Sequence, residues 1–183
     1  MPTVWSEAEG RKIAGAVFPR VLTIGIEGLA AGEARDEMLL ALADYVDPLP
    51  PLSGVTFGFF SGERGKLLAA VRSVEPHWEK YFDGREPAYC GFVCGKVASF
   101  CLLSDFGEHE IAGERVKVGG TGCVGTVPAY RRRGIGLKTV SLGTALLAAR
   151  GFRYSYIHDT GVPAWYAKLG YQTVYRRARR SGE

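Results

Sequence analysis

The chain has 183 residues, of which 46% are hydrophobic and 23% charged; this length and balance suit one well-cored globular domain and exclude a disordered, fibrous or collagen-like chain. The net charge of +4 and the pI near 8.9 are only mildly basic. Much of the excess lies in two compact clusters, Arg131-Arg132-Arg133 and the tail Arg176, Arg177, Arg179 and Arg180, and without a broad basic face nucleic-acid binding is not expected.

No apolar run approaches the roughly 20 residues needed to cross a bilayer, and no basic flank with an apolar core marks the N-terminus as a signal peptide. Cys90, Cys94, Cys101 and Cys123 fall in apolar, strand-like surroundings and read as small buried hydrophobes of a reduced, cytoplasmic protein. Cys90 and Cys94 have neither a second pair nor a His at ligand spacing, so no metal is expected. The protein is expected to be soluble, without a membrane partner, and to fold alone or as a small oligomer such as a homodimer.

Residues 1–54 read as an N-terminal helical extension. From 13 to 29 the chain is apolar but broken by Pro19, Gly25 and Gly28, so helix and irregular packing both stay open. Met38, Leu39, Leu42, Tyr45 and Val46 then recur at helical spacing after the acidic start Glu33, Asp36 and Glu37, and Asp47-Pro48-Leu49-Pro50-Pro51 stops the pattern. That predicts one amphipathic helix.

Residues 55–183 read as the core domain. A β-branched and aromatic run at 55–60 predicts a strand, Leu67, Leu68, Val71 and Val74 predict a helix, and residues 76–82 a second short helix after a proline start. Residues 88–93 and 97–103, split by Cys94-Gly95-Lys96, predict a hairpin. Residues 105–114 read as a polar turn region and 115–127 as a glycine-laden strand. A helix follows from about Ile135 to Arg150, ended by Gly151, then a strand at 152–158, a short helix at 163–169 and a last strand at 171–175. The order is mixed α/β, with at least two parallel strands around the turn at Arg131 and a ligand expected at their C-terminal ends.

Three glycine patterns compete near that turn. Gly120-Thr121-Gly122-Cys123-Val124-Gly125 matches G-x-G-x-x-G, but the run continues as strand to Pro128, so the dinucleotide context fails. Gly136-Leu137-Lys138-Thr139 lacks P-loop spacing. Arg131-x-x-Gly134-x-Gly136, after a strand and before an amphipathic helix, aims backbone N–H groups and a helix dipole at an anion.

This third pattern resembles the acetyl-CoA signature Q/R-x-x-G-x-G/A of the GCN5-related N-acetyltransferase superfamily. A second family element is resembled by Trp165-Tyr166-Ala167-Lys168-Leu169-Gly170-Tyr171. The resemblance covers roughly residues 55–175. It implies a mixed central sheet with flanking helices and acetyl-CoA as donor, its pyrophosphate held by amides of Arg132, Arg133, Gly134, Ile135, Gly136 and Leu137 with Arg131 beside them. The pantetheine arm would pair with Val124, Gly125 and Thr126. Tyr166 matches the family tyrosine that protonates the departing thiolate, and Asp159 stands where many members have a cofactor-contacting asparagine.

No carboxylate lies in 117–127 or 152–157, so His158, at the end of its strand and of the residue type most used as a general base, is the leading candidate base. A turn residue bonded to backbone is the competing reading of His158. Glu108, His109 and Glu110 rank below it. Trp78, Tyr81, Phe82 and Tyr89 would wall an acceptor pocket or fill core, with Glu75, Glu79 and Asp83 leaning toward a cationic amine. The expected activity is direct acetyl transfer to an amine of a small molecule or peptide; the alternative is a non-catalytic acyl-CoA-binding sensor.

Overall fold

The computed structural model describes residues 5–179. Helix α1 (Glu7–Val17) opens on a capping box: the Ser6 hydroxyl accepts from the Glu9 N–H and the Glu9 carboxylate accepts from the Ser6 N–H at 2.9 Å. Its buried face is Gly10, Ile13, Ala14 and Val17, at helical spacing. A 3-10 turn at Pro19–Leu22 follows.

The N-terminal helical extension is thus present as α1, but the helix expected over residues 33–46 is a strand, β1 (Ala34–Ala41). Asp36, Glu37, Met38 and Leu39 are all buried, because β1 runs between β6 (Tyr154–Thr160) and β7 (Gln172–Ala178). A strand buried on both faces reads as a continuous apolar run, which periodicity alone does not separate from a buried helix.

The remaining strands are β2 (Val55–Phe59), β3 (Ala88–Val93), β4 (Lys96–Ile111) and β5 (Glu114–Thr126), and the sheet order is β2-β3-β4-β5-β6-β1-β7. All pairings are antiparallel except β5 with β6. The predicted hairpin turn at Cys94-Gly95 has positive φ at both residues, 48° and 73°, as a primed turn requires. The same chemistry at Ala112-Gly113 corrects the polar turn expected at 105–114, since β4 and β5 run on to within two residues of each other. Cys94 is exposed at its turn, contrary to its expected burial; burial raises the Cys90 thiol to about 12.

Helices α1 and α2 (Arg64–Arg72) pack on one face of the sheet with a 3-10 turn at Pro76–Tyr81; α3 (Ile135–Ala149) and α4 (Pro163–Ala167) pack on the other. The arginine tail, expected as solvated surface, is engaged: Arg176 grips Asp36 at 2.8 and 2.9 Å, Arg177 pairs with Asp159, and Arg179 donates to the Leu29 carbonyl at 3.0 Å. Arg180 lies outside the described residues.

One buried ion pair ties the β1–β2 connection to α3. The Lys138 ammonium, with its side chain 9% exposed, contacts Asp47 and donates to the Leu49 carbonyl at 2.6 Å, while Ser141 donates to Asp47 at 2.6 Å. Desolvation raises the Asp47 pKa, but bonds from Lys138, Ser141 and the Leu49 N–H outweigh it and hold the carboxyl below its usual 3.8. A depressed carboxylate stabilises the fold above its unfolded pKa, and that stability is lost as pH falls through the folded value. Asp47→Ala leaves a buried ammonium unpaired and is expected to cost about 3 kcal/mol in urea unfolding at pH 7, with the difference from the parent shrinking below pH 4.

Candidate active site

The site is a place where the sheet opens. β5 and β6 pair only at Val118 with Tyr154 and Gly119 with Ser155, after which β5 continues on β4 and β6 on β1 without pairing to each other. A bulge helps turn β5 away. Phe100 pairs with Gly125 and Leu102 with Gly122, so Cys123 and Val124 together oppose Cys101, and Cys123 takes a φ of 47°. The result is an interior strand edge whose backbone groups face a gap, able to pair with an extended ligand.

Past β5, a 3-10 turn at Pro128–Tyr130 carries the chain to the arginines. Arg132 and Gly134 both take positive φ, 63° and 74°, and Gly134 caps α3 without a side-chain hydrogen bond. The first bond into the helix runs from the Lys138 N–H to the Gly134 carbonyl at 3.0 Å, and no backbone amide from Arg132 to Leu137 has an acceptor among the described residues. Consecutive N–H groups at the positive end of a helix form an anion cradle. Arg131 donates to the Thr126 carbonyl at 3.1 Å, and the Arg133 guanidinium lies 5.8 Å from the Tyr130 ring centroid. At Gly136 a Cβ would stand 2.4 Å from the Thr126 hydroxyl, so glycine lets the first turn of α3 lie against β5.

A cleft of about 540 Å³ joins cradle and gap. It is lined by Val124, Gly125 and Thr126 of β5, by Tyr130, Arg131, Arg132, Gly134, Ile135, Gly136 and Leu137 of the turn, and by Val74, Val162, Trp165 and Tyr166. Ten of the residues expected from the sequence therefore share one cleft; Arg133, His158 and Asp159 are not among its lining. Tyr166 is 7% exposed and packs edge-on against Trp165 and Tyr171, with centroids 4.9 and 5.9 Å away. Burial raises its phenol above the ordinary value, and its hydroxyl makes no hydrogen bond among the described residues. A neutral, uncommitted O–H in a cleft can donate a proton.

Asp159 corrects its expected role: its carboxylate is paired with Arg177 and its N–H donates to Glu37 at 3.1 Å. His158 lies on the opposite sheet face, stacked on Phe18 at 4.2 Å between centroids and 5° between planes. Its Nδ1 bonds to the Glu37 carboxylate at 2.9 Å, so it is not the backbone-bonded turn residue of the competing reading. Glu37 was missed because Asp36 and Glu37 were read as the acidic start of a helix. The uninterrupted apolar run, residues 38–43, is short enough for a strand but does not by itself decide between strand and buried helix.

Of the expected acceptor aromatics, Phe82 and Tyr89 are buried core, Trp78 is half-buried against the α2 cluster and Tyr81 is exposed. Glu75 and Asp83 are held below the usual carboxylate range by bonds within their own turns, first from the His77 N–H and the Arg85 guanidinium respectively. Glu79 faces Arg72 at 3.7 Å.

No protein-family model matches the sequence, and neither does any curated protein. Solved structures do match. A glucosamine N-acetyltransferase region of a fungal multi-domain GH3 β-N-acetylglucosaminidase superposes with a TM-score of 0.67 at 22% identity, over 79% of this chain and 20% of that one. A GCN5-related N-acetyltransferase from Sphaerobacter thermophilus gives 0.58 at 22% identity, over 84% of this chain and 54% of that one. The aminoglycoside N-acetyltransferase AAC(6')-Iy in complex with CoA gives 0.53 at 13% identity, over 70% and 95%. The chain thus spans a fifth of the first of these structures and about half of the second. The interior gap between β5 and β6, the turn into α3 and the seven-stranded order are features of one architecture: the fold is that of the GCN5-related N-acetyltransferases.

Proposed function

We propose that the protein is an acetyl-CoA-dependent N-acetyltransferase that moves the acetyl group directly to an amine. The observation that carries this is the set of unpaired amides of Arg132 and of Gly134 to Leu137, which shares one cleft with the open edge of β5 and the free hydroxyl of Tyr166. Acetyl-CoA supplies an activated thioester. The amides and the arginines bind its pyrophosphate, and the backbone of Val124 to Thr126 pairs with its pantetheine arm. Tyr166 gives its phenolic proton to the sulfur as the C–S bond breaks. No covalent acetyl-enzyme is drawn on, since burial raises Cys90, Cys101 and Cys123, the last to about 11, and none holds a paired base.

Calorimetric titration tests the donor: acetyl-CoA is expected to bind, with affinity falling as salt rises because a polyanion meets a cationic cradle. Absence of binding overturns the reading. Thiol release from acetyl-CoA is then assayed with glucosamine and an aminoglycoside first, because two structural neighbours carry those descriptions. Binding without thiol release across a wide amine panel would leave the sensor role instead.

A further inference from the structure

We infer that Glu37 and His158 form the proton-accepting pair on the acceptor side of the sheet, in a glycine-floored trough that receives an alkylamine; this rests on the acetyltransferase reading above. The trough follows from strand alternation. Gly120 and Gly122 of β5 point to the face that carries α1 and α2, between Ser104 of β4 and Tyr156 and His158 of β6. A Cβ on Gly120 would stand 2.1 Å from the Tyr156 carbonyl oxygen, whereas a Cβ on Gly122 would meet only the Ser104 hydroxyl at 4.0 Å. The trough is therefore closed at Gly120 and open at Gly122. Ser104 is 7% exposed, and its hydroxyl has no hydrogen-bond partner among the described residues. An uncommitted, nearly buried hydroxyl beside open space suits a polar ligand group.

His158 faces the same space. Carrying the β5–β6 register forward from Gly119 and Ser155 puts Gly122 level with His158. Ile157, one residue earlier, packs on the other face in the cluster that contains Tyr166. His158 and Tyr166 therefore flank the gap from opposite faces, as base and acid must if the thioester carbonyl lies between them.

The pair is built as an oriented base. Glu37 is 1% exposed and accepts from the Tyr156 hydroxyl at 2.8 Å, from His158 Nδ1 at 2.9 Å and from the Asp159 N–H at 3.1 Å. These contacts arise at a bulge, where Asp36 pairs with Thr160 and Met38 with Ile157, so His158 and Asp159 together oppose Glu37. A carboxylate on Nδ1 fixes the tautomer and leaves Nε2 as the acceptor. Nε2 has no partner among the described residues, and the side chain is 36% exposed. Phe18 stacks on the ring and sets its plane. The charged and titratable groups around the ring are Glu37 of β1, Tyr156 and Asp159 of β6, and Arg177 of β7, which neutralises Asp159.

An alkylamine, with a pKa near roughly 10.4, arrives protonated at neutral pH. Its first proton passes to Nε2, the freed lone pair forms the C–N bond, the C–S bond breaks, and the thiolate takes its proton from Tyr166. The second proton lost by the nitrogen restores the phenol, and the proton on Nε2 leaves to solvent. His158 acts as the base and Glu37 as a positioning residue.

The test compares n-butylamine, protonated at neutral pH, with methoxylamine, which is neutral there and needs no base before attack. His158→Gln and Glu37→Gln are each expected to lower kcat/KM for n-butylamine by about 100-fold, and that for methoxylamine by less than about threefold, with acetyl-CoA affinity unchanged in calorimetry. Glu37→Asp should recover part of the n-butylamine rate. Should Glu37→Gln fail to fold, the exposed His158→Gln carries the same comparison. Equal losses with both amines, no loss with either, or a parent protein that binds acetyl-CoA yet releases no thiol with n-butylamine would overturn the pair. Failure of the parent to bind acetyl-CoA at all instead counts against the acetyltransferase reading.

Discussion

Tyr166→Phe is expected to lower kcat by about 100-fold or more, the scale of a lost general acid, while calorimetry shows acetyl-CoA bound as tightly as before. The hydroxyl has no hydrogen-bond partner among the described residues, so its removal leaves no orphaned group in the core. The ring keeps its edge-on contacts with Trp165 and Tyr171, so Tm should hold within about 2 °C. Because burial raises the phenol above its ordinary value, it stays protonated and competent throughout the neutral range. An unchanged kcat with a chemistry-limited step would remove Tyr166 from the acid role. A fall in both Tm and affinity would make it a packing residue.

The second large effect is on stability, at Gly120. The methyl of Gly120→Ala would lie 2.1 Å from the Tyr156 carbonyl oxygen and 2.7 Å from Phe106, so either β6 or the Phe18–Phe106–Tyr156 cluster must shift. Overpacking against backbone of this kind costs about 2–3 kcal/mol, or roughly 5–10 °C in Tm for a chain of this size. Gly122→Ala is the control two residues along the same face. Its methyl meets only Ser104 at 4.0 Å, and Tm is expected to stay within about 2 °C. Scanning calorimetry separates the two, and equal shifts would mean that β6 does not approach β5 at Gly120 as described.

Most elements after residue 54 were legible because each carries its own local signal. The two-residue hairpin turn at Cys94-Gly95, the glycine that caps α3 at Gly134 and the proline that opens α4 at Pro163 are conformational preferences of single residues, readable without partners. The anion cradle was legible for the same reason. It is built from backbone N–H groups, so only the spacing of Arg131, Gly134 and Gly136 had to be recognised, and the cleft gathers these with Tyr166.

What only the tertiary structure decided are the pairings between distant segments. Glu37 and His158 lie 121 residues apart, and nothing local to either says that they meet. Their contact depends on β1 being a strand between β6 and β7, which its apolar run leaves undecided, since helix and buried strand expose the same side chains to a window of that length. The same holds for Arg177 with Asp159 and for Lys138 with Asp47, where a surface-type cation is buried because a carboxylate from elsewhere in the chain neutralises it. The sequence by itself determined the turn that forms the anion cradle, because backbone conformation is a local property. The Glu37–His158 pair was decided only by the fold, because a buried carboxylate and the histidine it orients are brought together by sheet order and register.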